Sequence, residues 1–315
     1  MGDGSVIFII ILASALVGWS LGRNNVATLF GPSVVSGIIN YRTATIMAAV
    51  FVFAGAILRG STGLSTVNSI TRVSLDVSVS ASIGTAMLII LMTYLSIPTS
   101  ITQGIVGALV GIGILNDYVN WNIVFKVLIF WIIAPFGAIA IAFVSHKLLA
   151  IFFNRTRSLK KRQSILQIMT FAFGMYASYS LGANNLANIV GPFVGKNMLD
   201  TVQALLIGGS VMAFGALMSS KKVMYSVGKN ITSMEPFDAS IAVFSESTTL
   251  FIYSLLGIPT SSVQASIGST VGVGFVKGTK TINFKSLSRM LIGWIITPFL
   301  TALLAVTIYE VLKIF

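Results

Sequence analysis

Apolar runs alternate with short polar breaks along the whole chain. Eight of them, 5–21, 43–58, 81–97, 122–145, 164–181, 203–219, 239–257 and 287–309, predict helices. Most approach the roughly 20 residues a helix needs to cross a bilayer. No stretch between them is long enough for a soluble domain. The first run follows Gly2, Asp3 and Gly4, with neither a basic leader nor a small-residue cleavage site, so it is read as a retained helix.

The pattern also repeats. GRNNVATLFGP, 22–32, returns as GANNLANIVGP, 182–192, and IPTSITQGIVGALVGIG, 97–113, returns as IPTSSVQASIGSTVGVG, 258–274. WIIAP, 131–135, returns as WIITP, 294–298. Three blocks in one order at nearly constant offset signify an internal duplication. Its parts are a first membrane repeat, 1–153, a basic linker NRTRSLKKRQ, 154–163, and a second repeat, 164–315.

Each repeat reads as a span, a short polar break, a second span, a pair of short runs and a long final span. The paired runs meet at Ile-Pro-Thr-Ser, and the later arm of each pair is rich in glycine. That arrangement predicts a re-entrant helical hairpin, entering and leaving the membrane by one face. Non-helical backbone at that depth is tolerated only where protein or a wet cavity satisfies it. With no net crossing in the hairpin, each repeat crosses three times, and the odd count turns the second repeat over. The expected fold is therefore an all-α integral membrane protein of two inverted-topology repeats, each with transmembrane helices and a re-entrant hairpin.

Composition agrees: 55% of the 315 residues are hydrophobic and 9% charged, with a mean hydropathy of +0.93. Soluble domains carry about 25% charged residues. The absence of cysteine removes disulfides and thiol chemistry. The single histidine, His146, stands beside Lys147 at the end of a span and reads as a solvated flanking residue, because a metal site needs further ligands.

A net charge of +12 could signal nucleic acid, but the placement of the cations speaks for topology instead. With the linker in the cytoplasm, fourteen of the 20 Lys and Arg residues fall on that side, five fall outside and Arg23 lies within the membrane. This is the positive-inside bias. It places both termini outside a cell membrane that the chain crosses several times. Moving one crossing would reshuffle several loops, and a parallel repeat is the alternative.

The repeated polar residues are the candidate chemistry. Asn24, Asn25, Asn184 and Asn185 offer amide donors and carbonyl acceptors. The hairpin tips add Thr99, Ser100 and Thr102 in one repeat, and Thr260, Ser261 and Ser262 in the other. Proline followed by Thr or Ser starts helices well, so each later arm would aim free N–H groups at its tip. Two such helix starts converging make an anion site. The plainer alternative is interhelical glue, with Gly107, Gly111 and Gly113 as packing residues.

Two ionisable residues interrupt apolar sequence. Arg23 stands where the second repeat has Ala183, and Glu246 lies thirteen residues before Pro259. A charge at the centre of a membrane helix costs at least about 2.5–3.5 kcal/mol, so it normally faces a partner or a pathway. Arg23 is expected to add positive charge to the anion site and Glu246 to carry a proton or cation. The alternatives are an ion pair between the two or a charge reaching to the interface.

Taken together, these blocks resemble the inorganic phosphate transporter (PiT) family, including its short sulfate-permease-like branch. Members carry duplicated GANDVANA-like motifs and duplicated PVSTTH-like tips. The resemblance implies an alternating-access symporter that moves phosphate with sodium or protons, and no resident cofactor unless sodium is counted as one. Asn24 and Asn184 match the motif asparagines, Asn188 a later one, and Ser100, Thr102, Ser261 and Ser262 the tip hydroxyls.

The departures are specific. Asn25 and Asn185 replace the motif aspartates, Thr28 a final asparagine, Ile101 and Val263 two hydroxyls, and Gln103 and Gln264 the histidines. Candidates for the coupling ion are thus Asn25, Asn185, Asn188, Gln103, Gln264 and Glu246. Hydrogen phosphate brings a proton that wants an acceptor, whereas sulfate wants donors alone, so the losses tilt the site toward sulfate. Membership as a whole keeps phosphate first.

The expected partners are phosphate or sulfate, a coupling cation, lipid and, as an oligomeric option, a second copy in a homodimer; nucleic acid is not one. An anion channel would need a continuous polar path. A membrane enzyme would need paired acid and base groups that this chain lacks.

Overall fold

A computed structural model describes residues 3–94, 99–195, 198–219, 221–222, 224–225, 234–278 and 284–314. The first repeat comprises α1 (Asp3–Val35), α2 (Tyr41–Arg59), α3 (Leu64–Asn68), α4 (Leu75–Tyr94), α5 (Ile101–Leu115) and α6 (Trp121–Arg155). The second comprises α7 (Leu159–Val190), α8 (Thr201–Leu217), α9 (Pro236–Leu255), α10 (Ser262–Lys277) and α11 (Phe284–Ile314). Among the described residues, the only strand-like pairing is an isolated bridge between Val194 and Leu199.

Local sequence sets the helix starts. The side chains of Asn40, Asn120 and Ser158 accept the backbone N–H three residues on and so cap α2, α6 and α7. Asp200 and Gln203 form a reciprocal capping box on α8. The helices do not stop where the apolar runs 5–21 and 164–181 end: α1 continues through its asparagine doublet for 33 residues in all and α7 for 32. An asparagine inside a helix costs under about 0.7 kcal/mol, and Asn185 recovers part by donating to the Leu181 carbonyl, 3.1 Å away. The chain turns only later, at Gly37 and Gly195, both with positive φ.

Five helical stretches among the described residues are long and apolar enough to cross a membrane: Gly4–Gly31, Tyr41–Asn68, Leu75–Met92, Trp121–Arg155 and Ile292–Ile314. α7 is long enough but carries Ser178, Ser180, Asn184, Asn185 and Asn188 in its later half. α8, with 17 residues, is shorter. The polar face of α7 is turned inward.

Packing between the repeats is reciprocal. α1 packs on α8 and α2 on α7; α5 packs on α11 and α10 on α6. The glycines show it atom by atom. A Cβ on Gly22 would fall 2.4 Å from the Met212 carbonyl oxygen, and one on Gly182 would fall 2.0 Å from that of Val52. Likewise a Cβ on Gly107 would fall 2.4 Å from the Pro298 carbonyl oxygen, and one on Gly268 would fall 2.4 Å from that of Pro135. Each contact is its partner with the two repeats exchanged, the pattern that a two-fold relation produces. The expectation that Gly107 and Gly111 serve packing is met: Gly111 lies against Ala302 as Gly272 lies against Ile139.

The helix ends sort into two groups. The C-terminal end of α1 (Ser33, Val35) lies beside Met234, Pro236 and Ala239. Met234 and Phe237 pack in turn with Leu149 and Phe153 of α6 and Leu166 and Met169 of α7. The far end of α7 meets different neighbours: Ser78 of α4 donates to the Pro192 carbonyl, and Asn68 of α3 donates to that of Val194.

His146 differs from its reading as a solvated flank. It is buried, with Nε2 2.8 Å from Asp238 Oδ1. Lys277 Nζ bonds the other Asp238 oxygen and lies 3.2 Å from Glu235 Oε1. The cluster ties both ends of the α9–α10 hairpin to α6. A histidine close to a membrane surface takes a buried partner when a neighbouring helix presents a carboxylate, and sequence spacing does not reveal that neighbour.

Candidate functional site

Two serines open the later hairpin arms. Ser100 Oγ accepts from Gln103 N at 3.3 Å and Ser261 Oγ from Gln264 N at 3.2 Å, both from extended backbone, so α5 and α10 begin as their sequences predict. The remaining N–H groups of each first turn point at the tips.

The two tips touch. Thr102 of the first hairpin donates to the Thr260 carbonyl of the second, 3.3 Å away, and accepts from Asn188 Nδ2 at 2.9 Å. Asn184 clasps the same residue from both sides, donating to Thr260 O at 2.7 Å and accepting from Thr260 N at 3.3 Å. Asn188 also donates to Asn185 Oδ1 at 3.2 Å. Across the molecule, Asn25 donates to Ser262 Oγ at 3.1 Å. One polar cluster therefore joins α1, α7 and both hairpins.

Other expected residues lie around it. Gln103 and Gln264 are buried, and their side-chain carbonyl oxygens have no partner among the described residues. So does the Asn188 carbonyl oxygen. Unfilled buried acceptors are costly, about 1–3 kcal/mol each, and suit a site that ligates a cation or meets a protonated ligand. Thr99 is half-buried at the edge, while Leu95–Pro98 of the first tip lie outside the described residues.

The repeats differ in closure. Asn184, Asn185 and Asn188 are 3%, 1% and 0% exposed. Asn24 and Asn25 are only half-buried and Thr28 is exposed. The Asn24 side chain has no hydrogen bond to a described residue, whereas its equivalent Asn184 has two.

The Arg23 guanidinium sits over the Trp19 ring, 4.9 Å from its centroid. No ion pair joins it to Glu246 among the described residues. Glu246 instead shares a crevice with Asn25, Leu29, Ala177, Leu181, Ser247 and Leu250. Sequence reasoning missed two participants. One is the Thr260 backbone, invisible because any residue supplies it. The other is Trp131, whose indole N–H donates to the Pro259 carbonyl at 3.2 Å. The duplication of its tryptophan in WIIAP and WIITP was the available signal.

Residues 21–305 match the sequence profile of the phosphate transporter family. The chain belongs to that family. It is 32% identical over 297 residues to the sulfate permease CysP of Bacillus subtilis, covering 92% of this chain and 84% of that one. It is 27% identical to MJ0630 of Methanocaldococcus jannaschii, named as a phosphate permease, with 90% of each chain covered. A solved structure titled the sodium-dependent phosphate transporter superposes with a TM-score of 0.87 over 98% of this chain and 99% of that chain, at 24% identity, and establishes a shared fold. Family members are transporters and not enzymes, and the helical membrane architecture is the one expected from the sequence.

Proposed function

We propose that this protein is a secondary active transporter that carries inorganic phosphate across the membrane by alternating access, coupled to a proton or to sodium. One observation carries the reading: both hairpin tips meet Asn25 of the first motif and Asn184, Asn185 and Asn188 of the second in one cluster of uncharged polar groups, buried on the side of the second motif. Such a cluster, fed by two helix starts, binds an oxyanion without a full countercharge. Arg23 lies two residues before Asn25 and adds positive charge at its rim. The duplicated site residues Asn24, Asn25, Thr99, Ser100, Thr102, Asn184, Asn185, Thr260, Ser261 and Ser262 then line the anion path, with Asn188, Gln103, Gln264 and Glu246 on the side of the coupling ion.

The inverted arrangement of 1–153 and 164–315 is supported by the two groups of helix ends. α1 finishes beside the residues that pack on the start of α7, while α7 finishes far from them, against Asn68 and Ser78. Equivalent helices thus run in opposite directions. The basic linker is assigned to the cytoplasm and both termini to the outside. A homodimer is compatible with the many exposed apolar side chains of α6 and α11, which lipid would equally cover.

Sulfate is the second reading. It is favoured by the neutral, carboxylate-poor tip cluster and by the likeness to a sulfate permease. Uptake of labelled phosphate and sulfate into proteoliposomes, with sodium and pH gradients imposed separately, tests both. Mutual competition of the two tetrahedral anions is expected; transport of neither sinks the proposal.

A further inference from the structure

Of the eight carboxylates in the chain, Glu246 is the one set in the middle of a hairpin arm rather than near a helix end or loop. It is half-buried in the crevice between α1, α7 and α9, against Asn25 on one side and the side chains of Leu29, Ala177, Leu181 and Leu250 on others. The Ser266 hydroxyl of α10 faces its carboxyl. Ser266 lies one turn beyond Ser262, the hydroxyl that Asn25 holds. The carboxyl is thus linked to the tip cluster through two neighbouring turns of α10.

No described cation neutralises it. On α1, Arg23 is turned to Trp19. On α7, Tyr176 is engaged with Thr248 and Ser180, and Tyr179 lies against Phe251. On α6 and α10, His146 and Lys277 are both taken by Asp238 near the hairpin base, two turns away along α9. A charged Glu246 therefore has no countercharge among the described residues of a largely aliphatic crevice, and a proton removes that cost.

A sodium ion fits the crevice less well. It takes several oxygen ligands, and four of the seven lining residues are aliphatic.

A wider opening lies along the same seam. Two turns nearer the linker, α1 and the start of α9 part around a cleft of about 200 Å³ lined by Ser33, Ser36, Ile38, Met234, Pro236 and Ala239. At the equivalent place in the other repeat the gap is bridged, because Ser78, the counterpart of Ala239, donates to the Pro192 carbonyl. The counterpart of Glu246 there is Thr85, which does not titrate. The carboxyl thus sits in the less tightly closed half of the molecule.

We propose that the coupling ion is a proton and that the Glu246 carboxyl, in the α1–α9 crevice, carries it. This rests on the anion-transport reading above. In the step, Glu246 carboxylate takes one proton to become a carboxylic acid, and no other bond changes. Protonation removes a negative charge from beside Asn25 and Ser266, one turn from the tip, and so admits a dianion to the tips; release of the anion and the proton to the far side resets the cycle.

The test uses the full chain in proteoliposomes with labelled phosphate and labelled sulfate. For wild type, one unit of pH gradient without sodium should drive about tenfold accumulation per proton carried, since one unit is worth about 1.4 kcal/mol. Glu246→Gln should lose roughly tenfold or more of that pH-driven accumulation, while exchange of labelled for unlabelled anion at equal pH falls no more than severalfold. Glu246→Asp should keep the pH response.

Full pH-driven accumulation by Glu246→Gln overturns the proposal. So does loss of exchange together with accumulation in a folded, monodisperse variant. Accumulation by wild type that follows sodium and ignores pH overturns it as well. If wild type exchanges neither anion, the transport reading fails instead.

Discussion

Thr102 and Thr260, 158 positions apart, meet where the two hairpins touch: the hydroxyl of the first donates to the backbone carbonyl of the second at 3.3 Å. The same hydroxyl accepts from Asn188, so one side chain holds three elements together. Replacing Thr102 with valine keeps the shape and leaves one of the two N–H groups of the buried Asn188 amide without its acceptor. The expected loss is about 1–3 kcal/mol, read as a roughly 5- to 150-fold rise in KM for labelled anion uptake. Thr102→Ser should retain most of the wild-type affinity.

Asn184 uses both faces of its amide on Thr260. Asn184→Asp keeps the acceptor and sets a carboxylate oxygen against the Thr260 carbonyl. Anion uptake should fall further than with Thr102→Val, by about 100-fold or more, because a charge is brought beside both a dipole and the anion. Uptake across a pH series checks this, with partial recovery expected at low pH as the new carboxyl is neutralised.

The close helix crossings make a paired stability experiment. Gly22→Ala and Gly182→Ala each place a Cβ against backbone, 2.4 and 2.0 Å from a carbonyl oxygen. Both should lower the unfolding temperature in detergent, by similar amounts corresponding to about 1–3 kcal/mol of overpacking. Gly137→Ala, with open space around it, should leave it unmoved. Unequal effects of the first two would contradict the reciprocal packing.

At the hairpin base, Asp238 is buried and Glu235 is exposed, though both pair with Lys277. Asp238→Ala should cost about 3 kcal/mol or more, because it strands His146 and Lys277. Glu235→Ala should cost less than about 1 kcal/mol. Thermal unfolding of the purified protein separates the two.

The chain has no cysteine, so single cysteines report sidedness directly. Ser33→Cys and Ala239→Cys line the cleft on the linker side and should react with a membrane-impermeant thiol reagent applied from the cytoplasm. Ser78→Cys, in the bridged counterpart, should react slowly from either side. Equal labelling at all three would remove the asymmetry of the two repeats.

Much of this was legible in the chain alone. Hydropathy reports the helices because a bilayer admits little else, and the duplicated blocks report two repeats because similar sequences fold alike. The helix starts at Ser100 and Ser261 were legible too, since capping is decided within four residues. Three-dimensional proximity was not. That Asn184 would grip Thr260, that Arg23 would turn to Trp19 and away from Glu246, and that α1 would run straight through its asparagines depend on what neighbouring helices present across the interface. The closure of one repeat around its asparagines while the other stays half-open is likewise a property of packing. Near-equal sequences can occupy unequal positions, and only the contacts between helices choose which.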